Sequence, residues 1–165
     1  MNLTTRRIAF AGVLAGVYAA LTLLTTFMAY GPIQFRIAEA LMVFCCFTGA
    51  AIPGLTVGCL LANILSTVGA WDLLLGTLAT LLACLCTRKI RNPWLVPLPT
   101  ILFNAVIVGA ELAWFFPEGR TLLTAFCYNA LTVGLGEAAV MYLIGVPLLF
   151  FLRKNKSAAA GLKDL

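Results

Sequence analysis

Five ionisable side chains stand where hydrocarbon would exclude them: Arg36, Glu39, Asp72, Glu111 and Glu137 lie inside, or at the ends of, long apolar runs. A charge in such a place is costly, so it faces a bundle interior, a partner charge or a ligand path. A carboxylate offers two acceptor oxygens that match a pair of parallel donors on a small molecule. Asn63 and Asn104 add neutral donors and acceptors, Tyr128 adds a hydroxyl on an aromatic body, and Trp71 sets a flat face beside Asp72. This set of residues suits recognition of a small polar ligand, and none of it is assigned a catalytic role.

Local explanations compete with that reading. Arg36 and Glu39 are three apart and can neutralise one another on one helix face. Asp72 at a helix start is favoured by the dipole, and Glu111 can reach the outer interface without a ligand. Glu137 has no partner nearby in sequence and lies too deep to snorkel, which favours function. Asn104 and Glu111 are seven apart, two turns along one face. Glu137 follows Asn129 by eight residues, about 12 Å deeper by helical rise. Trp71, Trp94 and Trp114 fall at the ends of apolar runs, where indole rings anchor to the membrane interface.

The elements that must position these residues are apolar helices. The chain has 165 residues, 62% hydrophobic and 10% charged, against about a quarter charged in soluble domains. Its mean hydropathy is +1.04. A soluble domain and intrinsic disorder are excluded. At about 20 apolar residues per span, polar and Pro/Gly punctuation predicts an all-α membrane protein of six spans, near residues 8–28, 37–50, 53–68, 73–86, 94–114 and 122–152. Spans two and three are short, hence tilted or re-entrant, and are joined by a tight corner at residues 49–54. A single membrane domain covers residues 1–165, with a short basic tail at 153–165.

Arg6 and Arg7, then Arg88, Lys89 and Arg91, then Arg153, Lys154 and Lys156 fall on one side of a six-span plan. Basic residues collect at cytoplasmic ends, so both termini are expected inside, and most buried polar groups are expected in the outer half or at mid-depth. A cleaved signal peptide at the N-terminus is disfavoured, because no small-residue cleavage site leads into a polar chain. The net charge of +5 reflects these clusters and implies no nucleic-acid partner.

The chain contains no His, which excludes His metal sites and Ser-His-Asp chemistry. The phosphate-binding loop of ATPases is also missing. The six Cys lie in apolar runs without zinc spacing and read as small hydrophobes; no metal or cofactor is expected. In span one, Ala11, Ala15 and Ala19 form a small-residue stripe, repeated one position on by Gly12, Gly16 and Ala20. Such a face lets another helix approach closely, either inside the bundle or on a separate membrane subunit.

The run Tyr30-Gly31-Pro32-Ile33-Gln34-Phe35-Arg36-Ile37-Ala38-Glu39-Ala40-Leu41, then Gly58-Cys59, Ala62-Asn63, Trp71-Asp72 and Gly76-Thr77-Leu78-Ala79-Thr80, resembles the queuosine-precursor transporter family. These proteins are substrate-binding S components of energy-coupling factor (ECF) transporters. Ala38 departs from the pattern, which carries Ser there. The resemblance implies a multi-pass protein of the prokaryotic plasma membrane that captures a 7-deazaguanine precursor outside. It implies as partners a membrane coupling subunit and two cytosolic ATPases, with Ala11, Ala15 and Ala19 at the docking face. For such a ligand, Glu137 is expected to read the guanine edge and Glu39 or Asp72 an aminomethyl cation, with Arg36 and Glu111 beside them. Asn63, Asn104 and Tyr128 would be neutral contacts, and Trp71 a stacking lid.

Other classes fit less well. An S component for another micronutrient is the nearest alternative. A membrane enzyme would want a converging acid, base or metal set facing the cytosol, and a self-sufficient carrier would more often show inverted repeats; residues 1–80 and 81–165 share no self-similarity.

Overall fold

A computed structural model describes residues 3–29, 34–64, 66, 69–163 and 165. Residues 30–33, between the first two expected spans, lie outside them. Among the described residues every regular element is helical. The elements are α1 (Leu3–Leu24), a short turn of helix at Thr26–Ala29, a 3₁₀ helix at Ile37–Cys46, α2 (Ala51–Asn63), α3 (Ala70–Thr87), α4 (Pro97–Phe115), α5 (Leu122–Lys154) and α6 (Lys156–Lys163).

Four of these, α1, α3, α4 and α5, are long and apolar enough to cross a membrane. The 3₁₀ helix has 10 residues and α2 has 13, so at rises of about 2.0 and 1.5 Å each extends about 20 Å, short of a hydrocarbon core about 30 Å thick. The helices in the places of the expected spans two and three are short, as the sequence suggests. The tail expected from residue 153 onward is mostly helical, as the end of α5 followed by α6.

Local sequence explains where helices start and loosen. Pro97 opens α4 at a position whose N–H has no helical partner. Thr121 caps α5 by accepting from the Thr124 N–H at 3.4 Å. Within α5, Pro147 can donate no bond and crowds the carbonyl four residues back; the preceding segment Met141–Gly145 widens into a π turn that relieves it. A second π turn, Asn104–Val108, interrupts α4.

The main core gathers Leu14 and Tyr18 of α1, Met42 and Val43 of the 3₁₀ helix, Leu55 and Cys59 of α2, Cys84 of α3 and Met141 and Leu149 of α5. Its tightest seam joins α1 to α2. A Cβ on Gly54 would meet the Ala11 carbonyl at 2.7 Å, and one on Gly58 the Ala15 carbonyl at 2.8 Å. Ala11 and Ala15 therefore serve internal packing, one of the two uses open to a small-residue stripe. Gly12, Gly16 and Ala20 are exposed, and a Cβ on Gly12 or Gly16 would meet nothing within 4 Å.

Candidate ligand-binding site

Where the 3₁₀ helix begins, α2 ends and α3 begins, a polar cluster fills the bundle. Arg36, immediately before the 3₁₀ helix, pairs with Asp72 in the first turn of α3, Nη2 to Oδ2 at 3.9 Å. Glu39, one turn further, accepts a short hydrogen bond from the Tyr18 hydroxyl of α1. Asn63, the last residue of α2, donates to the Asp72 carbonyl at 3.0 Å and to the Cys59 sulfur at 3.5 Å. That sulfur also receives Thr80 Oγ1 at 3.2 Å and faces Arg36 Nη1 at 3.8 Å. Each of these side chains is buried.

Gly76 makes room for the group. A Cβ there would strike Asp72 Oδ1 and come within 2.8 Å of Asn63 Nδ2. The glycine lets both polar side chains lie flat against α3.

Glu111 on α4 and Glu137 on α5 complete the set. Glu137 is within electrostatic reach of Glu39 and Arg36, and Glu111 of Asp72 and Arg36. Both oxygens of Glu111 lack a hydrogen-bond partner, as do Glu137 Oε2, Glu39 Oε2 and the side-chain amide of Asn104. Buried carboxylates and amides are almost always bonded, so this concentration of open acceptors in one region suits a ligand carrying donors. Among the described residues no cluster of His, Cys, Asp and Glu is placed to hold a metal ion.

The residues singled out by type thus divide. Arg36, Glu39, Asn63, Asp72, Asn104, Glu111 and Glu137 are all buried. Arg36 meets Asp72 on another helix and Glu39 is engaged by Tyr18, while Arg36 and Glu39 remain within electrostatic reach of one another, as their three-residue spacing suggests. Tyr128 stands apart on the surface, 43% exposed, with the Arg120 guanidinium 4.2 Å over its ring. Trp71 is 53% exposed and its ring lies 5.9 Å from that of Phe115. Sequence reasoning missed Tyr18, Cys59 and Thr80. Tyr18 was the traceable one, a lone hydroxyl aromatic within the apolar first helix.

A groove of about 680 Å³ runs beside α1, lined by Ala11, Gly12 and Ala15 together with Gly49, Pro53 and Val57, with Arg7 and Arg88 among its lining residues. Ala19, the third alanine of the stripe, is half-buried.

Comparison with known proteins gives a family and a relative. The family model described as QueT transporter matches residues 8–154. The queuosine precursor transporter QueT of Lactococcus lactis subsp. cremoris (strain MG1363) is 38% identical over 71 residues, which are 42% of this chain and 41% of that protein. The matched stretch therefore spans about two fifths of the relative's length. No solved structure matches the chain.

Proposed function

Because the chain belongs to the QueT transporter family, whose model covers residues 8–154, we propose that it is the substrate-binding S component of an ECF-type importer, taking up a 7-deazaguanine queuosine precursor. Family and long apolar helices together make it a multi-pass membrane protein. Its membrane is the plasma membrane of a prokaryote, in line with the bacterial relative. The reading takes the whole chain as one membrane domain that crosses six times with both termini inside, and it is not an enzyme.

The observation that carries the reading is the set of open carboxylate oxygens on Glu39, Glu111 and Glu137 inside the bundle. A 7-deazaguanine presents a ring N–H beside an exocyclic amino group, two parallel donors that one carboxylate can accept together. Glu137, deep on α5, takes that edge. An aminomethyl substituent brings a cation, set against Asp72 or Glu39, with Arg36 balancing the acids. Asn63 and Asn104 are neutral contacts. Trp71 closes over the ring, and Tyr128 stays at the outer end, where it meets the ligand only on its way in.

The coupling subunit docks along α1, at the exposed stripe Gly12, Gly16 and Ala20 and the groove edge lined by Ala11 and Ala15, with Ala19 at its margin; two cytosolic ATPases supply the energy. Purification from the native membrane and mass spectrometry of bound small molecules tests the substrate. Recovery of a 7-deazaguanine supports it, and recovery of another micronutrient replaces it. Reporters after Leu165 and between Arg91 and Pro93 should both lie in the cytoplasm, and an external signal at either overturns the span plan.

A further inference from the structure

On the outer surface of α3 and α4, beside the polar cluster, lies an apolar groove of about 690 Å³ lined by Trp71 and Leu75 of α3 and Val106, Ile107, Ala110, Glu111, Trp114 and Phe115 of α4. That volume falls within the range of small-molecule sites. Glu111, Trp114 and Phe115 are spaced i, i+3, i+4 and so share one helix face; Trp71 and Leu75, i and i+4, oppose them from α3. Trp71 and Trp114 are 53% and 69% exposed, whereas Glu111 is only 3% exposed. Aromatic walls with a wet or lipid-facing edge therefore surround a single buried acid.

That acid is what separates the groove from a lipid-facing seam between helices. Neither oxygen of Glu111 has a hydrogen-bond partner, and a buried carboxylate without donors is costly unless a ligand supplies them. The walls select what kind of ligand. Indole and phenyl faces attract cations and stack on flat rings, and among the described residues no basic side chain lines the groove. Trp71 is followed by Asp72, which turns to Arg36 in the cluster, so groove and cluster share the first turn of α3 as a common wall.

We propose that this groove is a capture site for small, flat organic ammonium ions, with Glu111 as counter-ion and Trp71, Trp114 and Phe115 as the stacking faces. It deepens the importer reading, on which it rests for the natural ligand, by giving the cationic half of that ligand a first station at the bundle edge before the deeper acids.

Equilibrium binding to the purified chain in maltoside detergent tests this with 2-naphthylmethylammonium and its neutral counterpart 2-naphthylmethanol. The ammonium should bind about tenfold tighter than the alcohol. Glu111→Gln should abolish that preference, and Glu111→Asp should keep it. Trp114→Ala, at a position 69% exposed, should weaken both probes alike. Survival of the preference in Glu111→Gln, or insensitivity of both probes to Trp114→Ala, overturns the proposal, as does displacement of the ammonium probe by lysophosphatidylethanolamine, which would make the occupant a lipid. Binding of 7-aminomethyl-7-deazaguanine is measured in parallel. If it fails while the naphthyl pattern holds, the importer's substrate is wrong and the groove stands; the reverse result removes the groove alone.

Discussion

Gly54 and Gly58 bring α2 so close to Ala11 and Ala15 that no Cβ fits between them, whereas a turn further along the same helix Asn63 enters a cluster where several carboxylate oxygens face no donor. Both regions are buried, and α2 takes part in both. The seam holds its helices by contact between small residues, which is how helices associate where lipid removes the hydrophobic drive. The cluster spends some of that cohesion on groups that would be more stable elsewhere. On the reading proposed above, stability and recognition are thus separated along α2, and each should fail independently of the other.

Substitution in the seam should have the largest effect. Gly58→Leu drives a side chain into the backbone of α1, where overpacking costs about 3 kcal/mol or more; folded protein should be lost from the membrane fraction on size-exclusion chromatography. Recovery of monodisperse protein with wild-type melting would mean the helices separate freely at this point. Next comes Glu137→Gln, which presents a donor where the reading requires an acceptor. It should weaken 7-deazaguanine binding by about 2–5 kcal/mol in calorimetry without lowering the melting temperature. Affinity within about threefold of wild type transfers the guanine edge to Glu111.

Tyr18→Phe sharpens the boundary between the two regions, because Tyr18 belongs to the core cluster and also donates to Glu39. Removing the hydroxyl leaves a buried carboxylate short of its donor, at a cost of about 1–3 kcal/mol. Melting temperature and ligand affinity should fall together. A change in affinity alone would assign Tyr18 to the ligand. The smallest effect on the isolated chain belongs to Gly16→Leu, since a Cβ there meets nothing within 4 Å. Stability and ligand binding should stay as in wild type while uptake with the energising subunits stops; normal uptake would move docking off α1.

The same contrast explains what could be read from sequence. Apolar runs marked the long helices, and polar types inside them marked seven residues that are all buried, from Arg36 to Glu137. Polarity in an apolar run reports burial but not the partner, so the Arg36–Asp72 pair, which joins segments 36 residues apart, had no local signature. Two small-residue stripes one position apart on α1 differ by about 100° around the axis, and composition alone does not say which faces inward. Cys59 reads as one hydrophobe among others until Asn63 and Thr80 are seen to converge on its sulfur. The 3₁₀ helix and both π turns also escaped, because periodicity over so few residues does not separate these helix types.

The two short helices also act as a ruler. The 3₁₀ helix and α2 meet at the corner where Gly49 lies against the Arg88 guanidinium, and their far ends are flanked by Arg36 and by Asn63 of the cluster. Each leg is about 20 Å long, so the cluster hangs at that distance from the basic corner. On the six-span reading proposed above, which puts the corner at one face of a hydrocarbon layer about 30 Å thick, the cluster would sit about 10 Å beneath the other. On that reading the depth at which a ligand would meet Asp72 is set by the number of residues in the hairpin, and lengthening either leg by one turn would bring the site toward the surface.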